Sequence, residues 1–158
     1  MSGGLPADLA ASAVPFAIGV AVAVVAGCVI GLAMGGNEVL DRVLGPWVLA
    51  FNAIPRIAFV PIFILVFGLG MEGKTAVVVA SAVFPMALTM RSGVRSVDPE
   101  LIEMARSFRA SRWLLLRRVV LPSTLPFFVS GFRITVALAV IGEVVAEFFS
   151  STPASATA

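Results

Sequence analysis

The chain has no histidine, one cysteine and one lysine, and only 13% of its 158 residues are charged. Without imidazole, and with its single thiol, Cys28, inside an apolar block, it offers no ligand set for a catalytic metal, no disulfide framework and no redox pair. No cofactor is expected. No lysine or arginine precedes Arg42, so the positive n-region of a secretory signal peptide is missing, and the first apolar block is expected to remain in the mature protein. What is abundant is hydrocarbon: 59% of residues are hydrophobic and the mean hydropathy is +1.06, outside the usual balance of soluble domains. The apolar residues come in blocks too long to serve as one face of an amphipathic helix.

These blocks predict an all-α, polytopic membrane protein of about four transmembrane helices, forming one domain over residues 1–150, with a disordered tail at 151–158. The spans are expected at about 14–35, 53–69, 75–90 and 125–149. In the first, Gly27, Gly31 and Gly35 recur every fourth residue, continued by Gly19 and Ala23. That nearly flat face lets another backbone approach closely, on this chain or on a partner. A segment from Leu40 to Ala50, marked by Asp41 and Arg42, reads as interfacial. Pro46, Pro55 and Pro61 follow, so the second span should be kinked or broken, for function or only for packing.

Gly68 to Thr75 matches the phosphate-loop spacing of glycines before Lys-Thr. That loop works between a strand and a helix, whereas both flanks here are apolar blocks of membrane length. No apolar run ending in aspartate follows to hold magnesium. A tight glycine-rich turn between helices explains the residues.

The polar exception is the basic island from Val94 to Pro126. Asp98-Pro99-Glu100 has the chemistry of a helix start: a capping carboxylate, a proline suited to the first position and an acid at the positive end of the dipole. A short helix is predicted from Pro99 to about Phe108, and a second, capped by Ser111, from Arg112 to Val119. Pro122 and Pro126 mark the start of the next span. Leu101, Met104, Ala105 and Phe108 give the first helix an apolar stripe beside its charges. With this island inside the cell, Arg42, Arg56, Arg91, Arg95, Arg106, Arg109, Arg112, Arg117 and Arg118 all face the cytoplasm, and Lys74 lies outside. The pair of helices reads as a protruding knob. It also reads as a loop that orients the protein or meets anionic lipid headgroups.

Glu103-Met-Ala105, Ser107, Ala110, Ser111, Arg112 and Val119-Val-Leu-Pro122 resemble the cytoplasmic EAA motif of permease subunits in bacterial ABC importers. The likeness is to the branch handling sulfonates, nitrate and taurine. It extends through Ile54-Pro55, Val60-Pro61, Phe67-Gly68, Gly93 to Pro99, Gly131-Phe-Arg133 and Val144 to Glu147. It implies a multi-pass protein of the bacterial inner membrane that performs no covalent chemistry. Its implied partners are a cytoplasmic ATP-binding subunit, a periplasmic or extracellular solute-binding protein, a second permease copy and membrane lipid, with no nucleic acid. The implied coupling loop spans 94–122, with Glu103, Met104, Ala105, Ser107, Phe108, Arg109, Ala110, Leu121 and Pro122 at or near the ATPase contact. Three departures stand out. Arg109 occupies the motif's glycine position, where a left-handed backbone is usual. Met104 replaces a small alanine. Family members usually have six spans, so the chain is expected to be shortened at both ends or completed by another chain.

Glu143 and Glu147, at i and i+4, share a face of the fourth span, and Arg133 lies about two turns into it. Carboxylates in a membrane are costly enough to mark a translocation path, although Glu147 and even Glu143 can sit near the wet outer surface. Two carboxylates do not favour an anionic solute. A proton- or ion-coupled carrier using this pair, and a fragment that transports nothing, are the competing readings.

Overall fold

The computed structural model describes residues 5–54, 60–68 and 70–151, with side chains described only within 13–145 and not for 61 or 64. Every regular element among the described residues is helical: α1 (Leu5–Gly36), α2 (Glu38–Ala53), α3 (Val60–Phe67), α4 (Met71–Arg95), α5 (Pro99–Ser107), α6 (Arg112–Leu115) and α7 (Leu121–Ser151), with a π-helical turn at Leu116–Val120 joining α6 to α7. Among the described residues, three helices are long and apolar enough to cross a membrane: Ala13–Gly36, Met71–Arg95 and the rod Arg112–Val145.

α4 is the central helix. Half of its most apolar window is buried, against 22% for each of the other two spans. α1 lies parallel to it, because the row of small residues removes the side chains that would hold the backbones apart. A Cβ added at Gly19 would come within 2.7 Å of Val78 Cγ1, at Gly27 within 2.6 Å of Met86 Cβ and at Gly35 within 2.5 Å of Val94 Cβ, while one at Gly31 would collide with the Ala87 carbonyl. Ala23 is fully buried with Val78, Ala82 and Ala139 in the same seam. At the far end, the Thr75 hydroxyl donates to the Pro15 carbonyl at 3.4 Å.

α7 packs antiparallel on α4 and reaches α1 as well through Ala139. Gly93 sits beneath Phe127, Gly131 against Met86 and Thr89, and Gly142 against Ser81. Since α1 and α4 run the same way, the intervening chain must travel back the length of α4. α2 and α3 make that return in two pieces.

The expected second span, 53–69, is therefore not one helix. α2 ends at Ala53, and the apolar helix that follows, Val60–Phe67, has eight residues, about 12 Å of rise against the ~30 Å of a hydrocarbon core. Pro55 lies outside the described residues and Pro61 in the first turn of α3, where a proline is tolerated. The expected tail, Ser151 apart, also lies outside the described residues. Gly68, with φ +80, turns the chain between α3 and α4, so the phosphate-loop lookalike joins two helices.

A second difference concerns the knob. The predicted helix from Arg112 does not stop at Val119; it runs through the π turn straight into α7. Pro122 would drive its ring into the Arg118 carbonyl of a regular α-helix. The wider π register, in which the Leu121 amide donates to the Leu116 carbonyl, relaxes that conflict. The result is one continuous rod over residues 112–151, about 60 Å long.

Candidate functional site

The knob is built by local chemistry. The Asp98 carboxylate accepts from the Glu100 amide at 2.9 Å, and Pro99 opens α5. The Ser111 hydroxyl accepts from the Leu114 amide at 3.2 Å and opens α6. Between them, α5 closes in a Schellman motif: the Ala110 amide reaches back to the Ala105 carbonyl at 3.1 Å and the Arg109 amide to the Arg106 carbonyl at 2.8 Å. This geometry needs a left-handed residue at its centre. Arg109 supplies it with φ 54, at the position where the motif has glycine. A side chain in that conformation costs roughly 1–2 kcal/mol.

α5 buries none of its residues. Its stripe points outward: Met104 is 56% and Phe108 81% exposed, with Leu101 beside them and Trp113 close by in sequence on α6. Glu103, Ser107 and Arg109 are exposed too, while Ala105 and Ala110 are half-buried. Leu121 and Pro122 are exposed on the rod beyond the π turn, about 15 Å along the helix from Arg112. The candidate contact residues thus fall into two groups, one at the tip and one on the rod.

At the same end of the bundle, an ion cluster pins α2 to α4. Asp41, 7% exposed, lies on the buried side of α2 with Gly45 and Val48. Arg91 donates to it through both Nε and Nη2, the latter at 2.9 Å, and Arg95 adds a third bond at 2.6 Å. Asp41 lies outside the three candidate spans, and the Arg91 hydrogen bonding, reinforced by both positive charges, holds its carboxyl below the usual carboxylate range. From the sequence, Arg91 and Arg95 read only as orientation charges and Asp41 only as the mark of an interfacial segment. The available signal was the i, i+4 pair of arginines ending α4 opposite a lone acid on the apolar-facing side of an amphipathic helix.

Midway along α4, the broken return leaves an apolar cavity of about 420 Å³ between α2, α3 and α4. Phe51, Phe63, Phe84, Val77 and Ser81 are among its walls. The Phe51 and Phe84 rings stack there with centroids 5.6 Å apart. Gly142 abuts Ser81, which puts the next residue, Glu143, at the cavity's depth, with both carboxylate oxygens shielded from solvent. Arg133 is exposed, ten residues earlier and about 15 Å lower on α7, so the structure does not bring it to Glu143. The Glu147 side chain lies outside the described residues.

The family described as "Binding-protein-dependent transport system inner membrane component" matches residues 19–157. The chain belongs to this family. Its members are multi-pass, non-catalytic inner-membrane subunits of ABC transporters. Among curated relatives, the chain is 38% identical over 147 residues to the formylaminopyrimidine transport permease protein ThiX of Halalkalibacterium halodurans, covering 93% of this chain and 57% of that protein. It is 41% identical over 109 residues to the riboflavin transport system permease protein RibX of Chloroflexus aurantiacus, covering 69% and 41%. It is 31% identical over 144 residues to the taurine transport system permease protein TauC of Escherichia coli, covering 91% and 52%. The chain spans about half the length of the curated relatives it matches.

Proposed function

We propose that the chain is the membrane-spanning permease subunit of an ATP-driven importer for a small polar solute. In this reading it works as a pair of permeases with cytoplasmic ATP-binding subunits and an external solute-binding protein. The observation that carries it is mechanical. An exposed apolar tip, led by Phe108, is hooked by a closed Schellman turn to a rod that runs on without a break through the bundle. A push at the tip moves α7 as a lever, where a flexible loop would absorb it. An outward-facing stripe beside water is also what a docking groove on a second protein would cover.

The orientation follows from charge. The inner ends of α1 and α4, the start of α2 and the knob gather Arg42, Arg91, Arg95, Arg106, Arg109, Arg112, Arg117 and Arg118, while Lys74 is at the other end of α4. The positive-inside rule makes the arginine end cytoplasmic. α2 and α3 together then carry the chain back across, which brings the number of crossings to four.

For the solute, the aromatic cavity supports a flat, neutral or cationic heteroaromatic over a sulfonate or nitrate. Among the described residues its walls carry three phenylalanines and no basic side chain, and a shielded carboxylate at the same depth opposes an anion. Two of the relatives carry pyrimidine and riboflavin transport in their names.

Co-expression with an ATP-binding subunit from the same transport locus, followed by purification, tests the assembly. Stable co-purification and uptake that stops when ATP is depleted are expected. Uptake that persists on a proton gradient without ATP would make the protein a carrier, with Glu143 as its coupling group. A chain that recovers no ATPase and supports no uptake would be a fragment.

A further inference from the structure

Where the knob meets the bundle there is a second cavity, of about 680 Å³, within the ~300–1,000 Å³ range of small-molecule sites. Two arginines line it from different elements: Arg106 in the last turn of α5 and Arg112 in the first turn of α6. The Schellman turn at Arg109 fixes the backbone spacing between them. Neither has an ion-pair partner among the described residues, whereas Arg42, Arg91 and Arg95 each have one. The remaining wall carries the polar Asn37 beside apolar side chains that include Leu32, Val94 and Leu116 from the ends of the spans. One acid, Glu38, also lines it, and its carboxylate is engaged by Arg42 at 3.2 Å.

We propose that this crevice holds the headgroup of an anionic phospholipid. Paired guanidiniums match phosphate oxygens in geometry and charge. The apolar wall decides the source: a free phosphate has nothing to place there, while the glycerol and first methylenes of a lipid cover it as the chains run on toward the spans. The site lies at the level of the helix ends, where headgroups lie. A lipid seated there would brace α5 against α1 and α4 at the root of the knob, making the stiffness of the lever depend on membrane composition.

The test uses the full chain, extracted from membranes containing equal phosphatidylglycerol and phosphatidylcholine and examined by native mass spectrometry. Preferential retention of phosphatidylglycerol is expected. The double variant Arg106→Gln with Arg112→Gln should weaken it by roughly fivefold per charge, or about thirtyfold. Arg106→Lys with Arg112→Lys should keep most of it, which separates loss of the site from misfolding. Arg117→Gln with Arg118→Gln removes the same charge from exposed positions outside the crevice and should leave retention unchanged. Equal loss in the two glutamine pairs would show a diffuse attraction and overturn the proposal. So would displacement of the lipid by millimolar inorganic phosphate, or equal retention of phosphatidylcholine.

Discussion

Asp41 is held by Arg91, fifty residues further along the chain, through the Nε and Nη2 donors along one edge of the guanidinium, and Arg95 closes the cluster one helical turn later. α2 is apolar and exposed on most of its circumference, with Val39, Val43 and Trp47 all turned outward. An amphipathic helix with so little buried area is positioned by its few directional bonds, so this cluster sets where the return segment starts. Removing the acid leaves two guanidiniums facing one another. Asp41→Asn should therefore cost about 1–3 kcal/mol, read as a lower melting temperature of the detergent-solubilised protein. Arg95→Gln should cost less, since its side chain is 47% exposed against 23% for Arg91.

The same cluster gives a pH dependence of known sign. Asp41 is more acidic in the folded protein than in the unfolded chain. Its contribution is then complete above the unfolded value, about 3.9, and is lost as pH falls through the lower folded value. Melting temperature measured from pH 7 downward should show no Asp41-dependent change until about pH 4, below which the native protein and Asp41→Asn converge. Convergence already at pH 6 would contradict the assignment.

Arg109 carries the strain of the knob. Arg109→Gly should relieve roughly 1 kcal/mol, seen as slower hydrogen exchange of the Ala110 amide, which closes the turn. If the turn limits docking, co-purification of the ATP-binding subunit should rise with it.

Two glycines, Gly27 in the α1–α4 seam and Gly45 on α2, predict opposite effects. Gly27→Leu must displace Met86 and the Val83 carbonyl, both under 3 Å from an added Cβ, at a cost of about 1–3 kcal/mol. At Gly45 the nearest atoms would be 3.8 and 3.9 Å away, an ordinary contact. Gly45→Ala should raise helix stability by about 0.5–1 kcal/mol. Thermal melts of the two variants read both signs.

Phe108, the most exposed residue of the knob's apolar stripe, should matter to binding and not to folding. Phe108→Ala should reduce ATPase co-purification about tenfold, in line with loss of a central aromatic anchor, with the melting temperature unchanged.

Features set by neighbours in sequence were readable in advance. The Asp98 and Ser111 caps and the Pro99 start each depend on a handful of adjacent atoms, and the structure has all of them, whereas the left-handed backbone found at Arg109 was implied only by the motif resemblance, which places glycine there. The glycine row was readable as a flat face, but its partner was not, because spacing does not say which helix approaches. Asp41 with Arg91 and Arg95 was missed because charge position along the chain says nothing about pairing across fifty residues. The continuous rod was missed because Pro122 reads as a helix boundary, and only the π turn beneath it lets the helix pass. The broken return was half-legible: the prolines announced the break, while the division between α2 and α3 depends on how each packs on α4. The candidate lipid crevice and the aromatic cavity are joint products of three or more elements and leave no trace in any one segment.

The account stands on which side of the membrane the knob occupies. With Cys28→Ala as background, Ser107→Cys places a single exposed thiol on α5. A membrane-impermeant maleimide should leave intact cells unlabelled at this position and label it fully in inside-out vesicles. Labelling of Ser107→Cys in intact cells would put the knob on the wrong side for any ATP-driven partner and contradict the proposed function.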